Sequence, residues 1–386
     1  MLSKSGPMHP RQLLIDHSGD GLRSGEGSLA LLKDGTILLL YSEFSGGEDH
    51  DTAHIASMRS TDGGWNWTKP EPVFRPTEGA LNAMSVSILR LRDGRLGCVF
   101  CIKHSLKSAA PFWSVSEDEG GSWSEPKPIN SGEEYFVVNN DRLIECHDGT
   151  LIIPYALHRN IFGAGQHERW DPAWNAECGL FFSRDGGTTW KRSTHTITHT
   201  PEVFREPRYS IALTDELRYE FENRLGVFQE PGVVELENGR LLMHMRSAHC
   251  IYHCHAESAE APWECCAPMH DFHVCLGPQT IRRIPGGNTL IMFYNDRGNL
   301  PFGSPEFGER TPLSVAVSED GGNIWRRLDP LEDEGSNYCY FSLLIVGDTF
   351  FTTFYESACA PNPAGLPFRR NLASLKFRAG LVRDLF

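Results

Sequence analysis

Ser318-Glu319-Asp320-Gly321-Gly322-Asn323-Ile324-Trp325 decides the fold, because its pattern, Ser-x-Asp-x-Gly-x-x-Trp, occurs three more times in the chain, at residues 60–67, 116–123 and 183–190. Each copy follows a short apolar run, here Leu313-Ser314-Val315-Ala316-Val317. Each then leads into polar residues such as Ser124-Glu125-Pro126-Lys127-Pro128, so each reads as a turn between two strands. The Ser hydroxyl and Asp carboxylate can accept amides of their own loop, the Gly supplies a positive φ, and the Trp anchors the exit. Such a turn is a structural device, and its Asp is read as bracing the backbone rather than as catalytic.

A second signature runs out of phase with the first: an apolar strand, a two-residue turn and another apolar strand. The turns are Asp34-Gly35, Asp93-Gly94, Asp148-Gly149, Asn238-Gly239, Gly286-Gly287 and Gly347-Asp348. Each is a hairpin signal. Four of the six hairpins are followed by a braced turn, so the repeating unit has four strands, and six such units make a six-bladed β-propeller in an all-β chain. Residues 256–263 keep only the terminal Trp of the pattern, and the N-terminal strand is expected to complete the sixth unit. A β-sandwich would not repeat one turn so regularly, and a β-helix would repeat over far fewer residues.

The 386 residues are therefore expected to form one domain, with residues 191–228 exceeding what a blade needs and read as an inserted loop or subdomain. The net charge of −14 comes with no basic block, which argues against a nucleic-acid or anionic-membrane partner. No apolar run is long enough to span a membrane, and the first ten residues lack the apolar core of a secretory signal, so a cytoplasmic location is expected for the chain as given. The 11 Cys are an odd number without paired Cys-x-x-Cys spacing, hence expected as reduced thiols. In His249-Cys250-Ile251-Tyr252-His253-Cys254-His255, strand alternation puts His253 and His255 on one side and Cys250, Tyr252 and Cys254 on the other. They form no single tetrahedral set, and no metal is expected.

In a meander blade the start of the first strand, the end of the second and the start of the third share one edge. That edge collects Arg23, Glu26, Asp49 and Asp51 from unit one, Asn140 and Arg142 from unit three, Glu230 and Arg246 from unit four, Arg310 from unit five, and Tyr338, Tyr340 and Glu356 from unit six. Arginines facing one another repel unless an anion lies between them, so this mouth suits a carboxylate. The structural alternative is that each Arg simply pairs with a neighbouring acid.

The braced turns resemble the Asp boxes of exo-sialidases, and the order of the mouth residues resembles that family across nearly the whole chain. The stretch from Gln229-Glu230-Pro231 to Arg246 is similar to the segment carrying the family's catalytic Glu and a carboxylate-binding Arg. Arg310 resembles another arginine of the triad. Tyr340-Phe341-Ser342-Leu343 is similar to the nucleophile segment, and Asp49, ten residues before Arg59-Ser60, falls at the family's acid/base Asp. The resemblance implies Tyr340, Glu230 and Asp49 as catalytic residues, Arg23, Arg246, Arg310, Asn140 and Arg142 as substrate-binding, and no cofactor. It implies an acidic sugar or sialoglycan as substrate; oligomeric state is not implied. A sialic acid carries its carboxylate on the anomeric carbon, so a carboxylate nucleophile would meet like charge, whereas a Tyr activated by a base avoids it.

Two features depart from that pattern. The first triad arginine of the family precedes an Ile-Pro, but here the stretch reads Arg23-Ser24-Gly25-Glu26-Gly27-Ser28, with Arg23 displaced by about two residues and an acid beside it. Asp51 competes with Asp49. The alternatives are a non-catalytic carbohydrate- or protein-binding propeller and an enzyme of another ulosonic acid or a uronate.

Overall fold

The structure, a computed structural model, describes residues 12–17, 22–130, 132–158, 176–198, 228–247, 250–275, 277–297, 309–358 and 373–386. Apart from one short 3-10 turn, Val382–Leu385, the regular elements among the described residues are strands. Strand β1 (Gln12–Ile15) comes first among the described residues but belongs to the last unit. Unit one is β2 (Arg23–Leu31), β3 (Ile37–Phe44), β4 (Ala53–Ser60) and β5 (Glu71–Phe74). Unit two is β6 (Asn82–Arg90), β7 (Leu96–Ser105), β8 (Ser108–Ser116) and β9 (Lys127–Pro128). In unit three, β10 (Tyr135–Val137) and β11 (Ile144–Glu145) share the first place, before β12 (Leu151–His158), β13 (Glu177–Ser183) and β14 (Lys191–Arg192). Unit four is β15 (Gln229–Glu235), β16 (Leu241–Arg246), β17 (Cys250–Ala256) and β18 (Glu264–His273), and unit five is β19 (Thr280–Arg283), β20 (Leu290–Tyr294), β21 (Ser314–Ser318) and β22 (Arg326–Arg327). Unit six is β23 (Ser336–Cys339) with β24 (Leu344–Val346), then β25 (Thr349–Ala358), β26 (Ser374–Leu381) and β1.

Successive strands within each unit pair antiparallel, and the six expected two-residue turns fall between first and second strands. Their glycines explain why: Gly35, Gly94, Gly149, Gly239, Gly286 and Gly347 all have φ between 60° and 90°, a region that costs a side-chain-bearing residue about 1 kcal/mol or more. The N-terminal strand pairs with β26, Gln12 opposite Phe377. The first and last of the described strands therefore lie in one sheet.

The core lies between units rather than within them. One apolar cluster packs Leu38, Leu40 and Ile55 of unit one on Ile88, Phe100 and Phe112 of unit two; others join units two to three, three to four, four to five and five to six. The last packs Leu29, Leu39 and Tyr41 of unit one on Phe351, Leu375 and Phe377 of unit six. Each strand face is thus covered by the next unit, which explains why strands such as β3 and β12 are buried along nearly their whole length.

Residues 191–192, expected to begin an insertion, instead form β14 against β13, and Ile197 bridges Cys178, so the chain to that point belongs to unit three. The remainder of the expected insertion, 199–227, lies outside the described residues. In β17 the side chains alternate as the sequence suggests, Cys250, Tyr252 and Cys254 buried and His253 and His255 partly exposed.

Each braced turn is a closed local network. Asp118 Oδ1 accepts the Ser116 hydroxyl at 2.8 Å and the Ser122 amide at 2.8 Å, while the Gly120 amide donates to Ser116 Oγ at 2.8 Å. Asp62, Asp185 and Asp320 repeat the arrangement. These amide and hydroxyl donors hold the Asp62, Asp118 and Asp185 carboxyls down to about 2.

Candidate active site

The opposite ends of the first strands carry a second recurring device, this one without a motif. Glu26 in β2, Ser85 in β6, Asp141 before β11, Glu230 in β15 and Tyr340 after β23 all have positive φ, at 53°, 58°, 56°, 43° and 56°. In β2, β6 and β15 the strand register slips at that point. A bulge of this kind breaks the strict alternation of a strand and re-aims one side chain, at a cost on the order of 1–3 kcal/mol for each non-glycine residue in this region.

The re-aimed side chains meet one another across units. Tyr340 Oη donates to Glu230 Oε1 at 3.1 Å, joining units six and four. Arg246, at the end of β16, donates to the other oxygen, Glu230 Oε2. Its partner strand explains the proximity, since Gln229 lies directly opposite Arg246. Arg310 lies 5.7 Å from the Tyr340 ring and donates from Nη1 to Tyr355 Oη at 2.7 Å. Tyr338, the neighbouring candidate, turns its hydroxyl away to the Asp333 carbonyl at 3.2 Å. Burial first, and the Glu230 charge second, push the Tyr340 phenol well above its ordinary range, with Arg310 and Arg246 pulling the other way. Tyr340 thus presents a buried hydroxyl as donor to Glu230, with two guanidinium groups close to the pair.

Unit one supplies the other half of the mouth. Arg23 Nη1 donates to Asp49 Oδ1 at 2.8 Å, Nη2 lies 4.0 Å from Glu26 Oε1, and the guanidinium covers the Phe44 ring at 3.8 Å. Arg23 Nε and Nη2 and Arg246 Nε are buried and make no hydrogen bond among the described residues. Glu26 is only 5% exposed and accepts the Ser85 hydroxyl at 2.8 Å; burial raises its carboxyl, with Arg23 opposing. Tyr355 joins the two halves. Its ring packs so closely on Gly25 that a Cβ there would come within 3.0 Å.

Asp49 and Asp51 have different surroundings. Asp51 Oδ2 accepts the Glu48 amide at 2.8 Å and so braces its own loop, whereas Asp49 reaches Arg23. Asn140 and Arg142, expected to face a sugar, are turned into the scaffold: Asn140 Nδ2 donates to the Gly27 carbonyl at 2.8 Å and the Tyr340 carbonyl at 3.2 Å. Arg142, 2% exposed, donates to Thr280 Oγ1 at 3.1 Å and the Gln279 carbonyl at 2.7 Å, tying unit three to unit five. Burial, with Arg282 nearby, lowers it to about 10. Glu356 pairs with Lys376 at 2.9 Å. Sequence reasoning gives Tyr355 no role beyond its place in Phe354-Tyr355-Glu356, and it misses Ser85, which no motif marks.

Residues 40–353 match the BNR repeat-like domain. A sialidase of Bacteroides fragilis (strain YCH46) is 23% identical over 403 residues, covering 93% of this chain and 65% of that protein, so the chain spans less than two thirds of that relative. Among solved structures, a Hadza microbial sialidase has a TM-score of 0.70 at 16% identity, over 97% of this chain and 69% of that one. Trypanosoma rangeli sialidase in complex with 2,3-difluorosialic acid, described as a covalent intermediate, has a TM-score of 0.68 at 12% identity, over 98% of this chain and 60% of that one. At these identities the likeness is one of fold.

Proposed function

The chain belongs to the family of the BNR repeat-like domain, and from that premise we propose that it is a sialidase-like exo-glycosidase, removing a terminal sialic acid or a related acidic sugar with retention of configuration. The architecture that goes with this reading is a six-bladed propeller. It is supported by six four-stranded units whose apolar clusters run from each unit to the next and from the sixth back to the first. The first strands then surround the axis, and the mouth described above is its open end.

The observation that carries the reading is the 3.1 Å contact between Tyr340 Oη and Glu230 Oε1, made by two residues in left-handed conformations from different units. A binding module has no need of it. In the proposed reaction Glu230 takes the phenolic proton as Tyr340 Oη bonds to the anomeric carbon, and Asp49 gives a proton to the departing oxygen. Asp49 then takes a proton from water, whose oxygen attacks the same carbon; the Tyr340 bond breaks and Glu230 returns the proton. The buried donors on Arg23 and Arg246, with Arg310, suit the sugar's carboxylate.

Glu26 favours the broader form of the substrate reading. An acid 4.0 Å from Arg23 competes with a substrate carboxylate for that guanidinium, and so supports a related ulosonic acid or uronate as the second candidate. Proton NMR of the products released from a sialyl-oligosaccharide tests the proposal. Release of the α-anomer first is expected; no release from this or from any related acidic glycoside would contradict it.

A further inference from the structure

The acid/base loop is anchored by a buried lysine that belongs to the neighbouring unit. Lys103 lies in β7 next to Val99, Phe100 and Ile102, and is 1% exposed. Its ammonium donates to the Asp49 carbonyl at 3.2 Å, lies 2.7 Å from His50 Nδ1, and covers the Tyr135 ring at 5.4 Å. Asn82 is directly opposite Lys103 on β6 and donates to the carbonyls of Asp49 and Asp51 at 3.1 and 3.0 Å. Two donors from unit two therefore converge on one carbonyl of unit one.

The loop itself, residues 45–52, is closed at its base by the Ser45 amide on the Thr52 carbonyl at 2.8 Å and braced inside by Asp51. Nothing in that closure fixes where the Asp49 side chain aims. Arg23 holds the Asp49 carboxylate itself, and the donors on the Asp49 carbonyl hold the backbone from which that carboxylate reaches Arg23. Burying an ammonium costs several kcal/mol before its new partners are counted, whereas a Met of similar length would cost almost nothing at this position.

We propose that Lys103 is a positioning residue for proton transfer, holding Asp49 in line with the leaving oxygen through its backbone and through His50. The proposal rests on the reading of Asp49 as the acid/base. Because the lysine acts through Asp49, its loss takes away only what the positioned acid contributes. General acids typically contribute about 10²–10⁴-fold, and misplacement forfeits part of that.

The experiment compares wild type, Lys103→Met, Asp49→Ala and the double variant on two sialosides, one with an alkyl-type sugar leaving group and one with an activated aryl leaving group. Lys103→Met is expected to lose roughly 10- to 100-fold in kcat/KM on the first and less than about threefold on the second. On the Asp49→Ala background it should cost nothing further. Equal losses on both substrates, or additive losses in the double variant, overturn the proposal. Amide hydrogen exchange is read in parallel on the same proteins: faster exchange confined to residues 45–52 in Lys103→Met is expected, and unchanged exchange there overturns it. If Lys103→Met does not fold, His50→Ala removes the other partner at an exposed position and must show the same leaving-group dependence at smaller size. A wild type inactive on both sialosides would sink the functional reading instead, while the exchange data still decide whether Lys103 holds the loop.

Discussion

The braced turns and the mouth are both built from acids and hydroxyls, yet they are opposite kinds of structure. In a braced turn every partner of Asp118 lies within four residues of it, the carboxylate is exposed, and its donors favour the charged form. In the mouth, Glu230 meets Tyr340 across 110 residues, Glu26 meets Ser85 across 59, and burial disfavours the charged form of Glu26. The first kind is satisfied by its own loop, so it needs nothing from the fold and contributes only to the fold. The second is assembled by strained bulges that the clusters between units hold in place, and such strain is expected where chemistry occurs.

That contrast sets the size of the expected effects. The largest belong to the pair joining units four and six. Glu230→Gln should lower kcat by about 10²–10⁴-fold, Tyr340→Phe by at least as much, and the double variant no further than Tyr340→Phe alone, since the two act as one unit. Additive losses would make the mouth a sum of local contacts, like the turns. Next, Asp49→Ala should lose about 10²–10⁴-fold on glycosides with poor leaving groups and little on activated aryl glycosides. Asp51→Ala, whose carboxylate braces its own loop, should lose less and without regard to leaving group.

Arg310→Met should raise KM for an acidic sugar by the equivalent of about 2–5 kcal/mol, with a smaller change in kcat. Arg246→Met should depress both, because Arg246 also holds Glu230. Steady-state kinetics that showed the same pattern for both arginines would erase that distinction.

The smallest effects concern stability, and the two regions should respond to pH with opposite sign. Asp118 is held below its unfolded range of about 3.9, so its contribution is present above that pH and lost as pH falls towards 2. The Tm gap between wild type and Asp118→Ala should therefore close on acidification, with the activity of the folded variant unchanged. Glu26 is raised above its unfolded value of about 4.3, so any stability it confers is present below that pH and lost as pH rises. Glu26→Gln should accordingly gain Tm over wild type at pH 8 relative to pH 4. Parallel pH profiles for the two variants would show that the regions do not differ in this way.

The same contrast explains how much of the molecule was legible in the sequence. A turn whose bonds close within eight residues leaves its whole mechanism in the motif, and a Gly at positive φ marks each hairpin, so strands, units and the place of strand β1 in the sixth unit are legible directly. The mouth was legible only as a set of residues sharing one edge. Strand counting brought Glu230, Arg246 and Tyr340 to one place, but it assumes strict alternation, and the bulges break it. Asn140 and Arg142, expected on that edge, flank the left-handed Asp141 and spend their donors on the scaffold. Lys103 reads as one polar residue at the end of an apolar strand. Only the packing of unit two on unit one shows what it holds.

The central claim is that Tyr340, deprotonated by Glu230, bonds to the anomeric carbon. Incubation with a 2,3-difluorinated sialic acid, followed by peptide mass spectrometry, tests it most directly. The account predicts one covalent sugar adduct, carried by Tyr340 and formed far more slowly in Glu230→Gln. An adduct on another residue, or turnover of a sialoside by a Tyr340→Phe variant at the wild-type rate, would contradict it.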